Sequence, residues 1–174
     1  FARHRMALGG AIRPCFQQDL PQIHAIYATH VTTGTGTFEI DPPDLKEMGR
    51  RWARNVDNGW PWLVASPLKD VGRVVGYAYA APFRERAAYA KTFEDSVYVA
   101  PGQEGKGIGD SLLATLLFGL EADGGREVVA VIGDSQNFGS IRLHAKHGFR
   151  DCGKLSKVGY KFGRWLDVVI MQRS

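Results

Sequence analysis

Residues 99–109, Val-Ala-Pro-Gly-Gln-Glu-Gly-Lys-Gly-Ile-Gly, place four glycines within eight positions. The residues before them, Phe93–Ala100, read as a strand, and DSLLATLLFGLEA after them reads as a helix. A strand that enters a helix through a glycine loop exposes successive main-chain amides beside a helix N-terminus. That combination holds phosphate groups well, because few side chains stand in the way and the helix end adds positive potential.

The flanking segments predict one α/β domain. Ala11–Cys15 is a short strand. A helix follows, with Asp19 as N-cap and a stripe of Leu20, Ile23, Ile26 or Tyr27, and His30 or Val31. A glycine- and threonine-rich loop from Thr32 ends in a proline pair, and Pro43 opens a second helix that stops near Asn58-Gly59. Trp62–Ser66, Val74–Ala81 and Phe93–Ala100 are strands. In the helix after the loop, Ile108, Leu112, Leu116 and Leu120 repeat every four residues. Val128–Ile132 is apolar throughout, as in a strand covered on both faces. A short helix over Asn137–His147 precedes two strands, Phe149–Lys157 and Arg164–Gln172, joined by VGYKFG. The order β α α β β β α β α β β implies a mixed sheet with helices on both faces. Residues 1–10 read as an N-terminal extension or expression remnant, with Met6 as the natural start, and residues 11–174 as the single domain.

Composition narrows the partners. A net charge of +4 over 174 residues, with no block of five basic residues, gives no nucleic-acid stripe. Two distant cysteines, Cys15 and Cys152, form no CxxC pair, and the five histidines form no HExxH, so no metal is expected and a reducing cytoplasm fits. No apolar run reaches the roughly 20 residues of a membrane helix.

Three phosphate loops compete for the glycines. A Walker A loop needs Lys-Ser/Thr after its second glycine, where this chain has Ile108-Gly109. A dinucleotide or S-adenosylmethionine site is served by Gly105-Lys106-Gly107-Ile108-Gly109, with Asp134 as ribose ligand, but only 65 residues follow Gly109, too few for the rest of a doubly wound sheet. The third is the Gln/Arg-x-x-Gly-x-Gly/Ala loop of the GCN5-related N-acetyltransferases, matched by Glu104–Gly109. Glu104 departs from that pattern by placing a carboxylate where Gln or Arg is usual, and Gln103 stands beside it.

The surrounding segments GYAYAAPFRERAAYAKTFEDSVYV, PWLVAS, VVAVIGDSQNFGSIRLHAKHGF and GYKFGRWLDVVIMQ resemble the phosphinothricin acetyltransferase branch of that superfamily, which includes methionine sulfoximine acetyltransferases. The resemblance runs from about Ile12 to Gln172. It implies a splayed mixed sheet that admits acetyl-CoA as cosubstrate between its two central strands, with transfer to a small amino-acid-like amine by direct attack.

The resemblance also assigns roles. Glu94 matches the catalytic base, with Asp95 as understudy. His144, where much of the superfamily has Tyr, would assist departure of the thiolate. Val97, Tyr98 and Val99 would pair with the pantetheine arm, and one of their amides would hold the oxyanion. Gly105, Lys106, Gly107, Ile108, Gly109 and Asp110 would cradle the diphosphate. Asn137 would contact the cofactor or cap its own helix. Arg84 and Arg86 would clamp an anionic substrate group, with Tyr89 and Phe38 lining its pocket. His147 and Lys146 read as surface residues. Tyr160, Phe162, Trp165 and the Trp60-Pro61-Trp62 cluster read as core or as the interface of a homodimer. The rival readings are the same chemistry on a peptide N-terminus or polyamine, a CoA-binding protein without catalysis, and a methyltransferase.

Overall fold

The computed structural model describes residues 4–6 and 10–174. Eight strands form one mixed sheet: β1 (His4–Met6), β2 (Gly10–Pro14), β3 (Trp62–Pro67), β4 (Gly76–Pro82), β5 (Thr92–Val99), β6 (Glu127–Gly133), β7 (Arg150–Lys161) and β8 (Arg164–Arg173), in the spatial order β1-β2-β3-β4-β5-β6-β8-β7. Among the described residues four α-helices pack on it: α1 (Leu20–Thr33), α2 (Leu45–Asp57), α3 (Ile108–Ala122) and α4 (Phe138–Lys146).

Each face of the sheet has its own core. On one, Leu112, Leu113 and Leu116 of α3 are fully buried with Leu63, Ala78, Ala130 and Val169. Each buried leucine contributes roughly 2 kcal/mol of transfer free energy. Gly76 allows this approach, because a Cβ there would stand 3.0 Å from Ile108 Cγ2 and from the Tyr98 carbonyl oxygen. On the other face, Ile23, Tyr27 and Val31 of α1 and Met48 of α2 cover an aromatic cluster of Trp62, Tyr77, Tyr79 and Tyr98. Trp62 and Tyr79 stack at 4.3 Å between ring centroids. Asn55, buried on α2, donates to the Ala80 carbonyl at 2.7 Å and so ties α2 to β4.

Three local expectations are revised. Asp19 does not cap α1 through its side chain. Its carboxylate instead accepts the Phe16 N–H (2.8 Å) and a two-pronged bond from Arg13 (2.7 and 2.8 Å). Strand β7 continues to Lys161, so the hairpin turn is Phe162-Gly163 and not the longer VGYKFG. Residues 4–6 pair with Gly10–Ile12 as an edge strand, so part of the N-terminal extension belongs to the sheet.

The junction that positions the site is the parallel pair β5 and β6. It holds register only from Thr92 opposite Glu127 to Glu94 opposite Val129, and then the two strands part. Strand β5 stays paired with β4 along its whole length, and β6 with β8 along most of its own. The gap is therefore a V with two stiff arms. Val131, 38% exposed in an otherwise mostly buried strand, faces this opening.

Candidate active site

A cavity of about 580 Å³ fills the V. Its walls are Asp95–Val99 of β5, Ala130–Ile132 of β6, the loop from Gln103 to Asp110 and α4 from Asn137 to His144. Along β5 the backbone alternates. The Ala100 N–H donates to Val75 on the β4 side (3.0 Å), so the N–H and C=O groups of Val97 and Val99 point the other way, into the gap. Tyr98 presents its backbone to β4 and buries its ring in the aromatic cluster. Of the three residues expected to pair with an extended ligand, two offer main-chain groups to the cavity. The Val99 carbonyl oxygen is 2.8 Å from His30 Nε2 on α1, a contact the sequence reading did not foresee.

The glycine loop has the backbone that the sequence implies. Gly105 and Gly107 have φ of 72° and 74°, in the left-handed region that side chains disfavour, and Gly107 is the N-cap of α3. Both line the cavity, together with Ile108, Gly109 and Asp110. Lys106 is folded over its own loop, donating to the Gly102 carbonyl (2.9 Å) and to Gln103 Oε1 (3.1 Å). Glu104 is exposed at the rim. Asp110 is bound by Lys146 (2.8 Å) and by His147 (2.9 Å), and the Lys146 bond above all holds its carboxyl below the usual range. Lys146 and His147, read from sequence as surface residues, engage a carboxylate placed where an anion would dock, and the Lys146 charge offsets it.

Asn137 caps α4 by accepting the Ser140 N–H at 3.3 Å, and it also lines the cavity. His144, buried on α4, lies with Nε2 2.9 Å from Asp95 Oδ2 and Nδ1 2.8 Å from the Ser140 carbonyl oxygen. Burial alone would lower its pKa, but the bond to Asp95, that carboxylate's charge and the Ser140 carbonyl outweigh it and raise the value.

Glu94 points to the opposite face of β5, beside Ala81 and with Tyr79 and Ser96 as neighbours along that face. Burial raises its pKa. The Arg84 charge works against this, and the Asp95 charge adds to it. A carboxylate tuned upward is a better proton acceptor near neutral pH. Glu94 itself lines neither cavity; its neighbours Ala81 and Phe93 line a second one of about 800 Å³, together with Arg84, Arg86, Arg51, Arg54, Trp62 and Tyr79. Arg84 lies 4.1 Å over the Phe83 ring and donates to the Phe83 carbonyl at 2.7 Å. Tyr89 is exposed on a short turn, edge-on to Phe83. Phe38 does not line this cavity. It packs between Gly133 and Gly159, whose missing side chains make room for its ring.

Asp134 is buried, does not line the cavity, and has both oxygens engaged within the protein. Oδ2 accepts from Thr35 (2.9 Å) and Arg164 (2.7 Å), and Oδ1 accepts from the Gln136 N–H (3.0 Å). The dinucleotide reading loses its ligand, whereas a V-shaped gap with free strand amides suits a long, amide-bearing thioester. The model of the acetyltransferase (GNAT) family matches residues 23–149. The chain belongs to the GNAT acetyltransferase family. It is 51% identical over 162 residues to a phosphinothricin N-acetyltransferase of Alcaligenes faecalis, covering 93% of this chain and 81% of that protein. It is 39% identical over 165 residues to an L-methionine sulfoximine/L-methionine sulfone acetyltransferase of Pseudomonas paraeruginosa, covering 95% and 94%. The crystal structure of a GNAT superfamily phosphinothricin acetyltransferase from Sinorhizobium meliloti in complex with AcCoA superposes with a TM-score of 0.90 at 41% identity, over 94% of this chain and 87% of that one. The fold expected from the resemblance, a splayed mixed sheet flanked by helices, is the fold of this GNAT enzyme.

Proposed function

We propose that this GNAT enzyme moves the acetyl group of acetyl-CoA onto the amino group of a small zwitterionic or anionic amino acid, with methionine sulfoximine and phosphinothricin as the first acceptors to try. The observation that carries this reading is the arrangement around β5. Main-chain groups of Val97 and the Val99 N–H open into the cavity on one side, while Glu94 stands on the other face, where its cross-strand partner Ala81 and chain neighbour Phe93 line the arginine-rich cavity. Relatives named for these two substrates support the choice of acceptor.

The cosubstrate fits the residues present. Main-chain amides from Gly105 to Asp110 would hold its diphosphate at the α3 N-terminus. The Val97 and Val99 backbone would bind the pantetheine amides, and a β5 N–H would polarise the thioester carbonyl. Acetyl-CoA supplies the activated acyl carbon. Arg84 and Arg86 orient the acceptor's acidic group. Glu94 accepts the ammonium proton, directly or through water, and frees the lone pair for attack. His144 assists departure of the thiolate.

Residues 11–174, with the β1 edge strand and Gly10 added to their sheet, would form this one catalytic domain. Two unpaired cysteines, one of them exposed, support a cytoplasmic setting. Exposed Tyr160, Phe162 and Trp165 on the β7–β8 hairpin, which are not core residues, support a homodimer built on that face. The deciding experiment is thiol release from acetyl-CoA across a panel of methionine sulfoximine, phosphinothricin, free amino acids, a polyamine and short peptides. Turnover on the first two at least tenfold above the rest is expected. Preference for peptides or the polyamine would reassign the acceptor, and CoA binding without release on any amine would remove the activity.

A further inference from the structure

Asp95 and His144 are 49 positions apart in the chain and meet across the cleft. Asp95 lies on β5 one residue beyond the last β5–β6 pair, and His144 lies on the helix that follows β6. Their bond therefore spans the two arms of the V close to its apex. Both side chains are almost wholly buried, at 1% and 5% exposure, and both line the cavity. The Phe149 ring meets the imidazole edge-on at 5.0 Å, which fixes its plane.

The hydrogen bonds define the protons. His144 Nδ1 faces the Ser140 carbonyl oxygen, which can only accept, so this nitrogen carries hydrogen. The Ser140 hydroxyl, 3.3 Å from the same nitrogen, is a weaker second neighbour. Nε2 faces a carboxylate oxygen, which favours hydrogen there as well. With both nitrogens protonated the ring is an imidazolium. Neither nitrogen is then free to act as an ordinary acid toward a departing thiolate. What the ring presents to the cleft is a fixed positive charge.

We infer that Asp95 is a positioning residue for acetyl transfer, one that acts through His144 by holding it as a fixed imidazolium beside the sulfur end of the cleft. The inference rests on acetyl-CoA occupying that cleft. In this role no proton changes hands. As the C–S bond breaks, its electron pair goes to sulfur, and the developing negative charge meets a cation that needs no reorganisation. The remaining charges do not compete. Asp95 is the charged group bonded to His144, the exposed Arg142 and Glu104 stand at the cavity rim, Glu94 points to the other face of β5, and Asp110 of α3 forms its own cluster with Lys146 and His147 at the C-terminal end of α4. Asp95 Oδ1 has no protein partner among the described residues, so the carboxylate is not spent on other contacts.

Asp95→Asn separates charge from tether. A neutral His144 protonated at Nδ1 can accept, at Nε2, a hydrogen from the amide that this substitution introduces, which keeps the bridge while the cation goes. The test is a nitrogen-15 NMR titration of His144, identified by difference with His144→Gln, alongside the pH profile of kcat and calorimetry with CoA. In the wild-type enzyme His144 should stay doubly protonated above neutral pH. In Asp95→Asn it should lose a proton at lower pH, the alkaline limb of kcat should move down with it, and kcat at pH 8 should fall on the order of 10²-fold. CoA affinity should stay within about threefold. Asp95→Ser, which removes charge and tether together, is the second variant and should show the same shift of the limb. A neutral His144 in the wild-type enzyme at pH 7 would overturn the inference, and so would a kcat profile that stays put while the His144 titration moves. Failure of the wild-type protein to bind CoA would instead overturn the reading of the cleft itself, and this inference with it.

Discussion

Gly102, Gly105 and Gly107 have φ of 74°, 72° and 74°, and a Cβ built on any of them meets nothing within 4 Å. An alanine at each would therefore cause strain without collision, about 1–2 kcal/mol for the left-handed conformation. Only Gly105 and Gly107 line the cavity. An exposed loop can escape part of the strain by relaxing, but binding a diphosphate on its amides would require the original backbone again. The strain is thus shared between two readouts, the loss of stability and the loss of CoA affinity, which together should not exceed about 1–2 kcal/mol. If all of it appears in folding, the melting temperature drops by roughly 2–8 °C. If all of it appears in binding, Kd for CoA rises about 5- to 30-fold. Thermal melts and calorimetric titration with CoA on the three single variants measure both. Gly105→Ala and Gly107→Ala should weaken CoA binding, and Gly102→Ala should only lower the melting temperature. Wild-type melting and affinity in Gly105→Ala and Gly107→Ala would refute the reasoning, as would an equal affinity loss in Gly102→Ala.

Glu94→Gln should lower kcat about 10²- to 10⁴-fold with CoA affinity unchanged. Because a base works ionised and burial raises the Glu94 pKa, wild-type turnover should climb as pH rises through that elevated value, and the Gln variant should lack this acidic limb. Arg84→Ala removes a charge that holds the Glu94 pKa down, so its acidic limb should move to higher pH, as a rate profile with saturating amine will register. For Asp19, the Arg13 bond, the Phe16 N–H and the Arg13 charge outweigh burial and depress the pKa. Its contribution should be complete above the unfolded value and vanish as pH falls through the folded one. Asp19→Ala should cost about 3 kcal/mol in denaturant unfolding at pH 7 and flatten the acid dependence. Sedimentation should find a dimer for the wild-type protein and a monomer for Trp165→Ser with Tyr160→Ser; a wild-type monomer would refute the proposed interface.

What the sequence made legible is local. The glycine loop, the leucine repeat of α3 and the apolar run of β6 each satisfy a backbone requirement within a few neighbouring residues, and each is where it was expected. The revisions share a different cause. Residues 4–6 are too few to show a strand period, and they pair as an edge strand. Most of β7 is exposed, so no alternation marked its extension to Lys161. Asp19 resembled an N-cap because it precedes a helix, but Arg13, six residues earlier, claims its carboxylate. Phe38 looked like a pocket residue, yet two distant glycines make its niche. Nothing short of the tertiary fold shows that Asp95 meets His144, or that β5 and β6 part after three pairs and leave Val97 and Val99 without a β6 partner. Glu94, on the face opposite Asp95, was legible because strict alternation in FEDSVYV already separates the two carboxylates.

The most direct test is a crystal structure of this enzyme with bound acetyl-CoA. The diphosphate should lie on the main-chain N–H groups between Gly105 and Asp110, the pantetheine amides on Val97 and Val99, and the thioester at the mouth of the gap within reach of an amine held at Glu94. A cofactor bound elsewhere, or a thioester on the far side of α4 from Glu94, would contradict the account.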